Sequence, residues 1–405
     1  MPPGRLRPLQ WLERSDRFLI LDLSQKHGAI FKGIEGKVHI IFIVGLSECS
    51  EFIKQFRTQL RLETVDLAHF FPNGFLRQME GNAHKNYRSA LMKGISPAIM
   101  DENAQIHEAV VKNALHEFSI NKLKSSESAE AYKQSLITIS TSLLIQIFFG
   151  IDPDTPKHMY LLSRYRNLGD SDYAWKQGEG QKRVYLDIRG FLLERLERKE
   201  LSSSTSILSL MAASGEIDET SLGNLIYMVE MGRYDMGGLF RWLTKNATEN
   251  PHILTAIAEE HANLSLDEDS LLKAFVLETL RMEQIERLMR ITDTDLHFGG
   301  FIIPKNSLIR LCIWESHKNP DNFPEPFQFK PERFLENNFS QKEYAPFGMG
   351  HHRCPLAQTS IRMCMIVVKV LAQHYRIKPY NVGPAHRGPN HWEPAKDFTV
   401  RLVPK

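Results

Sequence analysis

A nine-residue segment near the carboxyl end combines a cysteine with two glycines in a pattern that could bind a metal. It reads Phe347-Gly348-Met349-Gly350-His351-His352-Arg353-Cys354-Pro355. Gly348 and Gly350 permit a tight turn and a close approach of the backbone to a flat ligand, because neither carries a Cβ. Cys354 lies where a helix is predicted to begin, and the backbone donors and dipole of a helix amino terminus favour a thiolate. Since most free cysteines are simply buried, the segment needs support from other motifs.

Support comes from a glutamate and an arginine about 75 residues upstream. Glu278 and Arg281 are three residues apart in a stretch with a helical pattern, so their side chains share one face and can pair. An isolated pair of this kind is usually a weak surface contact. Only its occurrence together with the cysteine segment makes it informative.

Together these segments resemble the cytochrome P450 superfamily, and the resemblance extends over nearly the whole chain. The haem-binding loop of that family, Phe-Gly-x-Gly-x-His/Arg-x-Cys, is matched at every position, while Glu278, Arg281 and Arg333 match a structural network of the family. The resemblance implies haem b as the cofactor, Cys354 as the ligand to iron, and a loop around it that contains Phe347, Gly348 and Gly350. Haem propionates need cationic or hydrogen-bonding partners, and the resemblance assigns this role to His84, Arg88, Arg290 and His352.

The resemblance also implies a reaction and its partners. A thiolate ligand pushes electron density to iron and favours cleavage of the O–O bond, whereas the protein controls substrate pose and proton supply. We therefore expect an oxygen-dependent monooxygenase or oxidative tailoring enzyme that acts on a small, largely apolar organic substrate. Electrons are expected from a ferredoxin or flavodoxin with its reductase, docked near the cationic residues His351, Arg353 and Arg362. Expected pocket-lining residues are Phe70, Phe71, Phe75, Met231 to Asp235, Leu288, Met289 and Trp392.

The central helix departs from the family pattern Ala/Gly-Gly-x-Asp/Glu-Thr. This chain has Met231-Gly232-Arg233-Tyr234-Asp235-Met236-Gly237-Gly238. In the preferred register Gly232 is the family glycine, Tyr234 replaces the acid and Asp235 replaces the threonine. In the other register Asp235 is the acid and Met236 replaces the threonine. The resemblance therefore places Gly232, Arg233, Tyr234 and Asp235 in the catalytic region, with Asp235 as a proton shuttle, a substrate-orienting group or a purely structural residue.

Two further features of these motifs are unusual. Adjacent glycines inside a helix each cost up to about 1 kcal/mol relative to alanine, so Gly237 and Gly238 predict either a distorted helix or a close backbone approach. Leu356 stands at the second residue after the cysteine, where the family usually has a glycine, and is expected to shift haem seating or redox potential.

Two other functions compete with monooxygenation. A peroxygenase, isomerase or dehydratase would use the same haem without reductive oxygen activation, and Arg233 resembles the arginine that pairs with a substrate carboxylate in fatty-acid peroxygenases, although the proline beside it is missing. A haem-binding sensor without turnover is the third possibility, against which the intact set of haem contacts argues.

Composition restricts the location and the partners. The chain of 405 residues has 50 Lys and Arg against 48 Asp and Glu, so no global charge attracts nucleic acid. Its four scattered cysteines indicate a reducing compartment. No amino-terminal signal peptide is recognised, and the most apolar stretch, 136–151, is interrupted by polar residues and too short to span a bilayer. We therefore expect a cytoplasmic protein of the soluble, bacterial type with no membrane anchor and no nucleic-acid partner.

The predicted fold is mainly α. β-type segments are expected near 27–46 and 296–315, with a hairpin formed by 27–32 and 37–44. The pattern from about residue 47 to residue 280 is helical, and a last helix is expected from Pro355 to His374. These elements predict one cytochrome P450 domain over 1–405, with a large helical lobe, a small β-rich lobe and a haem-binding loop at 347–355.

Overall fold

The computed structural model describes residues 1–4, 16–35, 38–63, 76, 79–120, 125–168, 179–201, 205–260, 270–283, 288–387 and 392–405. Helices dominate these residues. In chain order they are α1 (Leu19–His27), α2 (Leu46–Phe56), α3 (Gly81–Gly94), α4 (Pro97–Glu102), α5 (Ala104–Ile120), α6 (Ser125–Phe149), α7 (Pro156–Asn167), α8 (Glu179–Glu197), α9 (Ile207–Ala213), α10 (Glu219–Glu249), α11 (Pro251–Glu260), α12 (Leu271–Met282), α13 (Ile313–Ser316), α14 (Arg333–Glu336) and α15 (Ala357–His374).

The strands are short. They are β1 (Ile30–Glu35), β2 (Val38–Val44), β3 (Leu60–Leu62), β4 (Leu288–Thr292), β5 (Leu296–Phe298), β6 (Phe301–Ile303), β7 (Leu308–Cys312), β8 (Tyr375–Tyr380), β9 (His386–Arg387), β10 (Trp392–Glu393) and β11 (Thr399–Pro404). The predicted hairpin is confirmed as β1 and β2, which pair antiparallel.

The chain divides into two compact units. The first comprises Met1–Thr64, Glu268–Cys354 and Pro384–Ala395, and the second comprises Val65–Asp267, Pro355–Gly383 and Lys396–Lys405. The first unit holds β1 to β7 and the second holds the long helices α6, α10 and α15. The predicted mainly α fold with a smaller β-rich part is therefore confirmed, while a single domain over 1–405 stays a prediction.

A five-stranded sheet forms the centre of the first unit. Its strand order is β1-β2-β7-β4-β3, and β2 pairs with β7 in parallel although some 260 residues separate them. Side chains alternate along β2, so Ile41 and Ile43 join one apolar cluster while Ile40 and Phe42 join another. Both faces of the sheet are thereby buried, and the sheet is a rigid support for the segments that follow β7.

The second unit is built around the contact between α6 and α10. Ile139, Leu143 and Ile147 of α6 are fully or almost fully buried, as are Leu239 and Phe240 of α10. Most of the apolar stretch 136–151 therefore lies in a buried core helix, which ends at Phe149. None of the described helices is both long and apolar enough to cross a membrane. The last helix begins at Ala357 with Leu356 as its N-cap, so Pro355 precedes it and is not its first residue.

Candidate active site

Backbone hydrogen bonds close the predicted cysteine loop on itself. The Cys354 amide donates to the Phe347 carbonyl at 3.0 Å, and the Arg353 amide donates to Gly350 at 3.2 Å. Gly348 and Gly350 have φ values of +77° and +71°, a left-handed conformation in which a residue with a Cβ is strained. The two glycines are therefore required by the shape of the loop, which presents Cys354 at its end.

Burial separates Cys354 from the other three cysteines. Cys354 is half-buried, whereas Cys49, Cys312 and Cys364 are completely enclosed. Burial raises the pKa of the Cys49 thiol far above its usual value, and it also raises that of Cys364. A thiol in an apolar core stays protonated and is a poor metal ligand. The structure thus leaves Cys354 as the accessible cysteine that the loop presents.

A buried ionic network lies in the same unit as the loop. Arg281 donates twice to Glu278, from Nε to Oε2 at 2.7 Å and from an Nη to Oε1 at 2.8 Å, and both side chains are 0% exposed. Arg333 Nε donates to the same Glu278 Oε1 at 3.3 Å. The predicted network of these three residues is therefore confirmed.

Two further hydrogen bonds fix the chain just before the loop. The Ala345 amide donates to His317 Nε2 at 3.0 Å, and the Tyr344 hydroxyl donates to the Leu277 carbonyl on α12 at 2.8 Å. Burial lowers the pKa of His317 well below its usual value, and the neighbouring Lys318 and Arg281 lower it further. His317 is therefore a neutral acceptor that holds the chain two residues before Phe347.

Arg290 and His352, two of the predicted propionate contacts, lie in this first unit. Arg290 is on β4, two residues from Leu288 and hence on the same face of the strand. Leu288 is the side chain nearest to the position that a Cβ on Gly348 would take, at 3.5 Å. Arg290 is 4% exposed and His352 is half-buried, so β4 contributes a guanidinium and the loop contributes an imidazole to this unit.

His84 and Arg88 lie in the second unit, one turn apart on α3. His84 is 3% exposed, and Arg88 is half-buried. Their spacing of four residues puts both side chains on one face of the helix. The set of predicted propionate contacts is thus divided, with two members on α3 and two in the unit that carries the loop.

The central helix α10 has one accessible half and one buried half. At 3.6 residues per turn, Met228, Gly232 and Asp235 fall within about 60° of one another, and all three are half-buried. Met231, Tyr234 and Gly238 flank this stripe and are also half-buried. Asp235 therefore stands at the middle of the accessible half, one turn from Gly232.

Arg233 lies on the opposite half of α10, about 160° from Asp235. Its guanidinium donates to both carboxylate oxygens of Glu230, at 2.7 and 3.1 Å, and the two side chains are 3% and 2% exposed. Burial lowers the pKa of Arg233, but the Glu230 charge and hydrogen bonds outweigh it and raise the pKa overall. Because its countercharge is already inside the protein, this geometry gives no support to Arg233 as a partner of a substrate carboxylate. Glu230 was not predicted from the sequence, although its spacing from Arg233 repeats that of Glu278 from Arg281.

Gly237 lets α10 approach α6 closely. A Cβ at this position would lie 2.9 Å from Ile137 Cγ1 and 3.3 Å from Ile137 Cα. The helix is continuous over Glu219–Glu249. Of the two alternatives that the sequence left open for the paired glycines, the close approach is confirmed.

Comparison with known proteins gives the family. A model of the Cytochrome P450 family matches residues 252–391. The solved structure of retinoic-acid-bound cyanobacterial CYP120A1 has a TM-score of 0.77 at 18% identity, over 100% of this chain and 99% of that one. The chain belongs to the cytochrome P450 superfamily. Haem as the cofactor and a P450-type oxidoreductase as the enzyme class are confirmed with it.

Two of the similar proteins are hydroxylases by name. The human mitochondrial 25-hydroxyvitamin D-1 alpha hydroxylase is 29% identical over 199 residues, which are 45% of this chain and 39% of that protein. Abscisic acid 8'-hydroxylase 3 of Oryza sativa subsp. indica is 22% identical over 428 residues, covering 93% of this chain and 81% of that protein. The match to the human protein thus spans less than half of its length.

The residues of this P450 fit a haem group. The closed loop offers one half-buried thiol in a shape that two left-handed glycines create. Buried His84 and Arg290 offer donors of the kind that anionic propionates require. Leu356, where glycine is usual, has φ −100°, which any L-residue adopts, so its side chain brings no backbone strain.

The expected pocket-lining residues are only partly described. Leu288 is buried and Met289 is half-buried on β4, and the Trp392 ring is half-buried with the Arg17 guanidinium 5.7 Å from its centroid. Phe70, Phe71 and Phe75 lie outside the described residues.

Proposed function

We propose that this protein is a haem-thiolate monooxygenase that hydroxylates a small, largely apolar organic molecule. The observation that carries the proposal is the loop that presents Cys354 while the other three cysteines are sealed in the core. Membership of the superfamily and the two hydroxylases among its relatives support the same reaction type.

The protein residues would hold the cofactor at its iron and at its propionates. Cys354 would bind the iron, and His84, Arg88, Arg290 and His352 would hold the propionates. Haem bound by a thiolate supplies the electron density that favours cleavage of an O–O bond. Phe347, Gly348 and Gly350 keep the loop closed, which fixes the position of the Cys354 sulfur.

Asp235 is the residue that we assign to proton delivery. It stands on the accessible half of α10, one turn from Gly232, where an added Cβ would lie 3.2 Å from Leu144 Cδ1. A carboxyl group in this place can hold a water molecule and pass protons to a bound substrate or oxidant, provided that it lies within hydrogen-bond reach. Tyr234 lies next to it on the same half and is assigned a supporting role.

The accessible half of α10 also indicates the substrate. Apart from Tyr234 and Asp235 it carries Met228, Met231, Gly232 and Gly238, and methionine side chains adapt their shape to apolar ligands. An apolar molecule with one polar group near Asp235 suits this surface.

A ferredoxin or flavodoxin with its reductase is proposed as the electron donor. Arg353 is half-buried in the cysteine loop, and the residues that line a cavity beside the loop include Lys54, Arg57 and His351. Several cations in one region favour the docking of an acidic partner.

The experiment for the reaction uses the haem-loaded protein and a library of apolar compounds. Binding is detected by the change of the haem absorption band, and hits are incubated with ferredoxin, reductase and nicotinamide cofactor, or separately with peroxide. We expect a hydroxylated product with the redox partners. A product formed with peroxide or without any oxidant, and never with the redox partners, would replace the proposal by the peroxygenase or isomerase alternative.

The role of Asp235 is tested with Asp235→Asn and Asp235→Thr. The Asn variant should lose partner-driven turnover and release peroxide, because it cannot transfer protons, while the Thr variant should retain part of the activity. A collapse of substrate affinity with unchanged coupling would make Asp235 a recognition residue instead.

Partner docking is tested by charge reversal at Arg353. Arg353→Glu should slow reduction by the ferredoxin, with an effect that fades as salt shortens the range of the charge. Lys305→Glu makes the same charge change at an exposed residue after β6 and should leave the rate unchanged. Equal slowing by both variants would show a general charge effect and not a docking site.

A further inference from the structure

We propose that Glu230 and Arg233 form a second Glu-x-x-Arg pair, whose task is to position Tyr234 and Asp235 on the accessible half of α10. The inference rests on the proposed function, because it assigns positioning residues to the same segment of the same helix. Neither side chain touches a substrate in this assignment, since both are almost completely buried.

The pair repeats the geometry of Glu278 and Arg281. In each pair the arginine follows the glutamate by three residues and its Nε donates to Oε2 at 2.7 Å, with a second donation to Oε1. The second distance is 3.1 Å in α10 and 2.8 Å in α12. Two parallel hydrogen bonds fix the direction of a guanidinium as well as its distance, so Arg233 is held in one orientation.

Arg233 is tied to its surroundings at two further points. Its guanidinium carbon lies 4.1 Å from the centroid of the Tyr234 ring, within the range of a cation–π contact. Its backbone carbonyl accepts a hydrogen bond of 2.6 Å from the Ser140 hydroxyl on α6. Arg233 thereby connects Glu230, the neighbouring helix and the ring of the residue that precedes Asp235.

The connection matters because this part of α10 has a low intrinsic tendency to form a helix. Gly232, Gly237 and Gly238 fall within seven residues of α10, and glycine is the least helix-favouring residue apart from proline. A buried ion pair adds little net stability compared with apolar residues of the same volume. Its effect is directional, because the pair holds the turn that contains Tyr234 and Asp235 at one angle relative to α6.

The test separates positioning from stability. The double variant Glu230→Met with Arg233→Met replaces the pair by apolar side chains and should stay folded, with Cys354 still giving the carbon-monoxide difference spectrum of a thiolate haem. Thr244→Val is the control, since it removes the buried hydrogen bond of 2.7 Å from Tyr132 on α6 to the same helix. Arg233→Lys keeps the charge without the two parallel hydrogen bonds.

The readouts are the dissociation constant of imidazole as a ligand of the ferric haem, and the fraction of reducing equivalents lost as peroxide. If the pair positions Tyr234 and Asp235, the double variant should change the imidazole constant by about tenfold and raise peroxide loss. The Lys variant should lie between it and the wild type, and Thr244→Val should match the wild type in both readouts.

Two results would overturn the inference. One is a double variant that equals the wild type in imidazole affinity and peroxide loss. The other is a Thr244→Val variant that changes both readouts as much as the double variant does, because the pair would then act through stability alone. If the wild type shows no partner-driven turnover, the proposed function fails, while the imidazole constants still decide the role of the pair.

Discussion

A methyl group added at Gly237 should destabilise the protein, although the same change stabilises most helices. The added Cβ would lie 2.9 Å from Ile137 Cγ1 and 3.3 Å from Ile137 Cα, whereas two carbon atoms pack best at about 3.5–4.0 Å. The χ1 angle of a β-branched side chain in a helix has one strongly preferred value, so Ile137 cannot turn aside. The helices α6 and α10 must therefore move apart by several tenths of an ångström.

The magnitude follows from two opposing contributions. Alanine favours a helix over glycine by about 1 kcal/mol, while forcing an extra methyl group into a packed contact costs about 1–3 kcal/mol. Because the backbone of Ile137 is also in the way, we expect the upper part of that range and a net loss of about 1–2 kcal/mol in the free energy of unfolding.

The assay is urea unfolding of the haem-loaded protein, followed by far-ultraviolet circular dichroism. Gly190→Ala on α8 is the matched control, because no atom of the described residues beyond its own turn of helix lies within 4 Å of its added Cβ, and it should stabilise by about 0.4–1 kcal/mol. In an Ile137→Ala background the cost of Gly237→Ala should shrink, since the closest contact atom is then missing. If Gly237→Ala is as stabilising as Gly190→Ala, the reasoning about the contact between α6 and α10 is refuted.

Three further predictions concern the ligand, the buried network and pH. Cys354→Ala should abolish the carbon-monoxide difference spectrum of a thiolate haem while Cys49→Ala, Cys312→Ala and Cys364→Ala keep it, and a thiolate spectrum in Cys354→Ala would contradict the assignment. Glu278→Gln should lower the free energy of unfolding, measured in urea, by about 3–5 kcal/mol, because it leaves Arg281 buried beside a neutral group. The control Glu249→Gln breaks the partly exposed pair with Lys245 and should lower it by at most about 1 kcal/mol. His107 shares a hydrogen bond of 2.6 Å with Gln146, and burial lowers the pKa of His107 despite that bond. The unfolded chain therefore binds more protons than the folded chain at acidic pH. The stability due to neutral His107 is complete above about pH 6.5 and is lost as the pH falls below that value. The free energy of unfolding, measured at one pH above and one pH below this value, should therefore differ less for His107→Asn than for the wild type. An equal difference would show that other groups cause the loss of stability at acidic pH.

Local patterns explain which elements could be predicted. The hairpin of β1 and β2 and the helix α15 depend on turn residues and on the periodicity of neighbouring residues, which a sequence displays directly. The cysteine loop could be predicted for the same reason, because Gly348 and Gly350 adopt the positive φ angles that the turns of the loop require. Strand β4 and the pair β8 and β11 were not predicted, since short strands carry a weak signal and none of these strands is joined to its partner by a tight turn.

The amino-acid sequence alone determined the ligand loop, the Glu278 network and the mainly helical fold of this P450. It placed Gly232, Arg233, Tyr234 and Asp235 on one helix and fixed the angles between their side chains, because a helix turns by a constant amount per residue. Which half of α10 is buried depends on the neighbour against which it packs, and only the tertiary structure decided this. The close contact at Gly237 puts Arg233 inside with Glu230 and leaves Asp235 on the accessible half.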